Sequence, residues 1–413
     1  MPGKGRTNEG GEGEDPAAVG SAVAAGHAAA VGHVDVLDGL RGFAIFLVVT
    51  FHLWQLSWLD IPAALHFPVS LEFIARAGFF GVEIFFFISG FCLFWPHARH
   101  VWEGEPLPTW REYAARRAAK ILPSYYVCLL LVLLFFPHEY VAPGRLLWNV
   151  VTHLLFFHIW FYETYPSINS VTWSLAVEVQ FYVLFPLVAA SFRRKPWLAF
   201  LALAAVAQFW RLGVMQYGSA DPFPYTVQQS QLPAFLDLFG GGMLAAWLVG
   251  DLRRQRARER GPEPWLCALA AVFALAAIVW LMHGVTQHPD SPLGLRDWQV
   301  RQRLPLSALL VVFTTTAALA APGFRRAVAN PFLRFLAAIS YNLYLWHQVF
   351  HTWLFYGRIP APATADPHQD PVWQWRFTLL ALVVGLSVGI LGTYLIERPF
   401  LRWFRRRSER KGE

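Results

Sequence analysis

The sequence predicts an all-α, polytopic membrane bundle of about ten transmembrane helices, with one further re-entrant or interfacial helix. Three observations carry that prediction. Of the 413 residues, 56% are hydrophobic and only 15% charged, against about a quarter charged in soluble domains. Apolar stretches long enough to cross a hydrocarbon core, roughly 20 residues each, recur along the chain. Lys and Arg collect between those stretches in the alternation that the positive-inside rule requires. The 19 Trp and 35 Phe suit a chain with interfacial belts and an apolar exterior.

Taken in order, residues 1–33 are rich in Gly, Ala and acidic side chains. They lack the apolar core of a signal peptide and read as a disordered tail. The spans then fall at 42–59, 78–96, 121–137, 173–192, 196–212, 232–250, 265–283, 304–321, 336–356 and 375–396. Basic segments lie at 97–120, 193–195, 251–260, 325–334 and 402–411. Placing all of them in the cytoplasm gives ten crossings with both termini cytoplasmic, in the inner (plasma) membrane. The opposite connections, 284–303 and 357–374, carry few cations. A further apolar stretch, 146–162, contains His153 and His158. If it crossed, Arg193, Arg194 and Lys195 would move to the outer side, so it is expected to be re-entrant or interfacial. The expected domains are the tail 1–33, a membrane domain 34–402 and a basic cytoplasmic tail 403–413.

The net charge of +7 is accounted for by this topology, and no nucleic-acid module is present. Cys92, Cys128 and Cys267 lie in apolar runs without a CxxC pair, so neither a disulfide framework nor a metal site is expected.

Ionisable residues inside spans are costly, and each is a functional candidate. Arg41 opens the first span and His52 follows eleven residues later. Those eleven steps rise about 16 Å and complete about three turns, so both side chains share one face. A cation near one membrane surface and a base halfway across suit chemistry on a substrate that enters from that surface. Glu83 in the second span and Glu178 in the fourth need donors or cations, with Arg41 and His52 the expected partners. Asp237 has no evident mechanism. The segment 337–351 places Ser340, Tyr344, His347 and His351 on one face that should line a polar cavity, with Tyr341 beside them. For each residue the alternative is a packed structural role: a hydrogen-bonded core histidine, a register-fixing ion pair or an interfacial aromatic.

Six blocks together resemble the acyltransferase-3 family of bacterial membrane proteins. They are LDGLRGFAIFLVVTFH (37–52), GVEIFFFISGF (81–91), ARRAAKILPSYY (115–126), TWSLAVEVQFYVLFP (172–186), ISYNLYLWH (339–347) and ERPF (397–400). The resemblance implies transfer of an acyl group, often acetyl, from cytoplasmic acyl-CoA to a hydroxyl of a glycan, a lipid-linked sugar or a small molecule. No permanently bound cofactor is implied. The family's essential histidine falls on His52, and its Arg–x10–His block on Arg41 and His52. Glu83 stands where the family more often has Asp. Larger members carry an extra soluble domain after the last span, and no handover to such a domain is expected here.

On that reading His52 is the general base, with Arg41 and Glu178 completing the expected catalytic set. Tyr341, Ser174, Trp173 and His347 are candidate donors to the oxyanion. Arg41, Arg116, Arg117 and Lys120 are candidate ligands for coenzyme A phosphates. A transporter or flippase is the alternative, since a polar intramembrane cavity also suits transport; the absence of an internal repeat counts against it.

Overall fold

The computed structural model describes residues 34–59, 72–136, 144–287 and 292–409; the expected tail at 1–33 lies outside them. Ten long helices carry the fold. They are α1 (Asp35–Ser57), α2 (Phe80–Glu103), α3 (Trp110–Phe135), α4 (Thr172–Arg194), α5 (Pro196–Tyr217), α6 (Leu236–Ala257), α7 (Pro264–His283), α8 (Pro292–Leu319), α9 (Pro331–Tyr356) and α10 (Pro371–Leu391). Each contains or overlaps one expected span. Among the described residues, nine helices are long and apolar enough to cross a membrane. The tenth, α9, has 26 residues, about 39 Å of helix. Its Asn342, His347, Gln348 and His351 make it less apolar than the others. Three of those four are buried inside the protein, whereas Phe332, Phe335 and Tyr356 face outward.

The stretch that was expected not to cross forms a helix of only nine residues, Leu146–Leu154, followed by a 3-10 turn at His158–Trp160. Its histidines pack against each other. The His153 and His158 rings stack at 3.9 Å, His153 Nδ1 donates to the Asn149 carbonyl at 2.8 Å, and Tyr125 OH donates to the His153 carbonyl at 3.0 Å. The pinned segment then leads through Tyr165 and Ser170 to Trp173 at the start of α4.

One expectation is corrected. The connection 284–303 is helical from Pro292, because α8 extends 12 residues before the expected span. Arg303 is thereby buried in the bundle. The basic tail from residue 403 is also helical, as part of Arg398–Glu409. Between α10 and that helix lies one π-helical segment, Gly392–Glu397. It turns Glu397 inward, where Asn342 Nδ2 donates to it at 2.7 Å and Lys120 forms an ion pair with it.

Close helix approach positions the site. A Cβ on Gly42 would fall 2.0 Å from the Leu333 carbonyl oxygen of α9, and one on Gly81 2.4 Å from the Ala44 carbonyl oxygen of α1. α1 is therefore held against α9 and α2 at backbone distance, a packing that small residues allow in membranes.

Asp237 is explained by a residue the sequence reading passed over. Arg211 in α5 donates to Asp237 Oδ2 at 2.7 Å, and both side chains are fully buried. Arg211 also donates to the Ala234 carbonyl and Gln208. Arg211→Met should destabilise the fold by about 3–5 kcal/mol, because the carboxylate is left buried without its cation. Arg211→Met with Asp237→Leu should recover most of that loss. Thermal unfolding in detergent checks the pair; a double variant no better than the single one would remove the ion pair as the cause.

Candidate active site

Two cavities lie one behind the other along the bundle. The first, of about 360 Å³, is lined by Arg41, Arg117, Lys120, Glu178, Tyr182 and Ser174 among others, with Val82 and Tyr344 at its wall. The second, of about 240 Å³, is lined by His52, Glu83, Arg303, Trp173, Tyr165 and Phe235, again with Val82 and Tyr344. The order along four helices is consistent. α1 gives Arg41 to the first cavity and His52 to the second; α9 gives Ser340 and Tyr341 to the first and Tyr344 to both. Gly78 and Phe79, just before α2, and Glu83 within it face the second, while Ser89 and Cys92 of α2 face the first, and α4 gives Trp173 to the second and Glu178 and Tyr182 to the first. The first cavity therefore opens toward the basic ends of the helices and the second toward the opposite ends.

In the first cavity Arg41 and Arg117 are its notable cations. Neither has an ion-pair partner among the described residues. Arg41 makes only a long contact to Cys92 Sγ, 3.9 Å, and Arg117 lies over the Tyr182 ring at 5.7 Å. Lys120 is committed to Glu397. Arg116 does not line this cavity; it is exposed and pairs with Glu112 at 3.5 Å. Glu178 is satisfied by hydroxyls rather than by Arg41 or His52: Ser89 Oγ and Tyr182 OH each donate to Oε1 at 2.6 Å. Unneutralised guanidinium groups at a basic mouth suit phosphate, and a carboxylate deeper in suits amide N–H donors.

The second cavity holds His52, and its hydrogen bonds fix its tautomer. His347 Nδ1 lies 2.9 Å from both the Leu343 and Tyr344 carbonyl oxygens. Carbonyls only accept, so Nδ1 carries the proton of a neutral His347 and its Nε2 is a lone pair. That Nε2 lies 2.9 Å from His52 Nδ1, so His52 Nδ1 must donate. With both rings neutral, the remaining lone pair is on His52 Nε2, the nitrogen left for the cavity. His347 is thus an acceptor that orients His52. It has no proton to offer an oxyanion, contrary to its expected role.

The other expected donors also divide. Tyr341 OH donates to the Ile121 carbonyl at 2.7 Å. Tyr344 OH and Ser174 Oγ lie 2.6 Å apart, and both have the Val171 carbonyl as an acceptor, at 3.0 and 3.3 Å. Trp173 faces the same cavity as His52, and its indole N–H has no acceptor among the described residues. The face 340–351 is only partly a cavity lining, because His351 Nε2 donates into α10 at the Ala381 carbonyl, 3.0 Å. Glu83 pairs with Arg303, which donates through Nε at 2.9 Å; neither Arg41 nor His52 is its partner. Arg303 carried no sequence signal, because it sat in what reads as a connection.

Residues 34–398 match the family profile described as an acyltransferase domain, that of the acyltransferase-3 family. The chain belongs to that family. It is 23% identical to "Peptidoglycan O-acetyltransferase OatA" of Listeria monocytogenes over 90% of this chain and 57% of that protein. It is 35% identical to "Acyltransferase MdmB" of Streptomyces mycarofaciens over 90% of this chain and 92% of that protein. The chain thus spans little more than half of the first relative and nearly all of the second. No solved structure matches it. The chain is a multi-pass membrane protein.

The shared wall at Val82 gives a test of communication between the cavities. With acyl-CoA as the trial donor, Val82→Trp should leave its binding within about twofold of the parent and lower any acyl transfer at least 100-fold, about 2.7 kcal/mol. Equilibrium binding and single-turnover transfer measure the two separately. Parent-like transfer would mean that the substrates do not meet there.

Proposed function

We propose that this protein transfers an acyl group, acetyl by preference, from acyl-CoA to a hydroxyl of an acceptor, a glycan, lipid-linked sugar or small molecule. The observation that carries the reading is the His52 ring, oriented by His347 with Nε2 left for a cavity that adjoins a second, cationic one. Acyl-CoA enters from the basic ends of the helices, which face the cytoplasm under the positive-inside rule. Arg41 and Arg117 meet its phosphates, with Arg116 and the Lys120–Glu397 pair farther along the mouth. Glu178 accepts from the amide N–H groups of the pantetheine arm. The arm carries the thioester past Val82 and Tyr344. Arg41 and His52 stand about 16 Å apart along α1, a gap an extended arm bridges.

The acceptor occupies the cavity around His52. His52 Nε2 takes the hydroxyl proton as the oxygen bonds to the thioester carbonyl carbon. Charge builds on the carbonyl oxygen, where the Trp173 indole N–H is the donor favoured by its free hydrogen. Collapse breaks the carbon–sulfur bond. The thiolate of coenzyme A recovers the proton from His52, leaving ester and free thiol. The imidazolium formed in between is stabilised by the chain from His52 Nδ1 to His347 and on to two carbonyls. Transfer across the membrane follows, with donor and acceptor entering from opposite faces of the plasma membrane.

A transporter would share the polar cavities, but it has no need of a tautomer-fixed base in one of them. Purified protein in lipid, given labelled acetyl-CoA and an extract of the source cells, should move label to an extract component. His52→Ala should lose at least about 10²–10⁴-fold, the range for a general base. Label transfer that survives the substitution excludes His52 from proton transfer. His347→Gln, whose carbonyl oxygen can still accept from His52 Nδ1, should retain more activity than His347→Met. Equal losses in the two would show that His347 acts by packing alone.

A further inference from the structure

Arg303 is a firmly held cation in the wall of the His52 cavity that the mechanism above does not use. It is 4% exposed. Its Nε donates to Glu83 Oε1 at 2.9 Å and its Nη1 to the Gln229 carbonyl at 3.0 Å. The guanidinium lies over the Phe235 ring, 4.2 Å from its centre. A carboxylate, a carbonyl and an aromatic face thus fix its plane. Arginine has five N–H donors in a rigid fork. Those on Nη2 have no partner among the described residues, and Arg303 forms part of the wall of the cavity that holds His52.

A buried ion pair of this kind stabilises a fold no better than apolar side chains of the same volume. Its position beside the base gives it another use. Glu83 already neutralises the guanidinium, so the group that meets Nη2 need not be an anion. A neutral oxygen (hydroxyl, ether or carbonyl) satisfies it. Trp173, Tyr165, Phe79 and Phe235 supply ring faces around the same space. At about 240 Å³ the cavity is smaller than the roughly 300–1,000 Å³ typical of drug-sized ligands. It therefore holds one ring-sized part of an acceptor, with the remainder outside.

The geometry points to Arg303 as an acceptor-binding residue: its Nη2 donates to a neutral oxygen of the acceptor ring near the hydroxyl that His52 deprotonates. Glu83 is the positioning residue that holds the fork in plane. The ligand class is an uncharged, oxygen-substituted ring. This rests on the acyl-transfer reading above and adds to it the residue that selects the acceptor. It also gives a physical reason for a carboxylate at position 83 that has no contact with the donor.

The test uses the full chain in lipid nanodiscs, labelled acetyl-CoA and a dilution series of source-cell extract, so that half-saturation for the acceptor is read in units of dilution. Arg303→Lys keeps a cation for Glu83 but loses the fork. The expected result is a roughly 10- to 100-fold rise in the extract needed for half-saturation, the range for one lost hydrogen bond to a charged group. Half-saturation by acetyl-CoA and the thermal unfolding midpoint should stay close to the parent's. Should Arg303→Lys fail to fold, the volume-matched pair Glu83→Met with Arg303→Met should show the same acceptor-specific loss. Unchanged acceptor saturation overturns the inference, as does a parallel rise for donor and acceptor, or a fall in maximal rate alone. No transfer by the parent protein would instead overturn the acyl-transfer reading itself.

Discussion

A polar side chain in hydrocarbon must find its partner inside the protein, because the solvent offers none. That constraint organises the whole bundle. Glu83 is met by Arg303, Asp237 by Arg211, and Glu397 by Lys120 and Asn342. Glu178 is met by two hydroxyls. Against this background the few groups left facing open space stand out. Arg41 and Arg117 border one cavity, and Trp173 and His52 the next. Satisfied groups build the walls, and unsatisfied ones mark where substrate polar atoms belong.

The same constraint makes the His52–His347 contact informative. Two histidines in water interchange tautomers freely. Here the carbonyls of Leu343 and Tyr344 impose one tautomer on His347, and His347 imposes one on His52. The result is a base with a defined lone pair, oriented by a second imidazole. α1 and α9 hold the two rings because Gly42 lets the backbones touch.

On the proposed acyl-CoA reading, division into two cavities answers a problem of sidedness. A donor that carries phosphates needs cations, and cations belong at the basic ends of the helices. The acceptor needs a base and ring faces, and these lie toward the other ends. Val82 and Tyr344 separate the two environments while leaving a shared wall. The short helix Leu146–Leu154 and the segment after it close the far side, with stacked His153 and His158 pinning it in place of a crossing.

The sequence by itself determined the ten helices, the one that does not cross, and the residues worth watching. Those follow from apolar length, charge alternation and the cost of an ionisable group in lipid, and all three are local properties. Arg41 and His52 sharing a face is helix geometry and needs no fold. Pairing is different. Arg303 lies 220 positions from Glu83, and His347 lies 295 from His52; no periodicity links such positions. Only packing decided that Glu178 is held by hydroxyls, that Tyr341 spends its proton on a carbonyl, and that His347 accepts where a donor was expected. A hydrogen bond's direction depends on what stands on its far side, and that is a property of the assembled bundle.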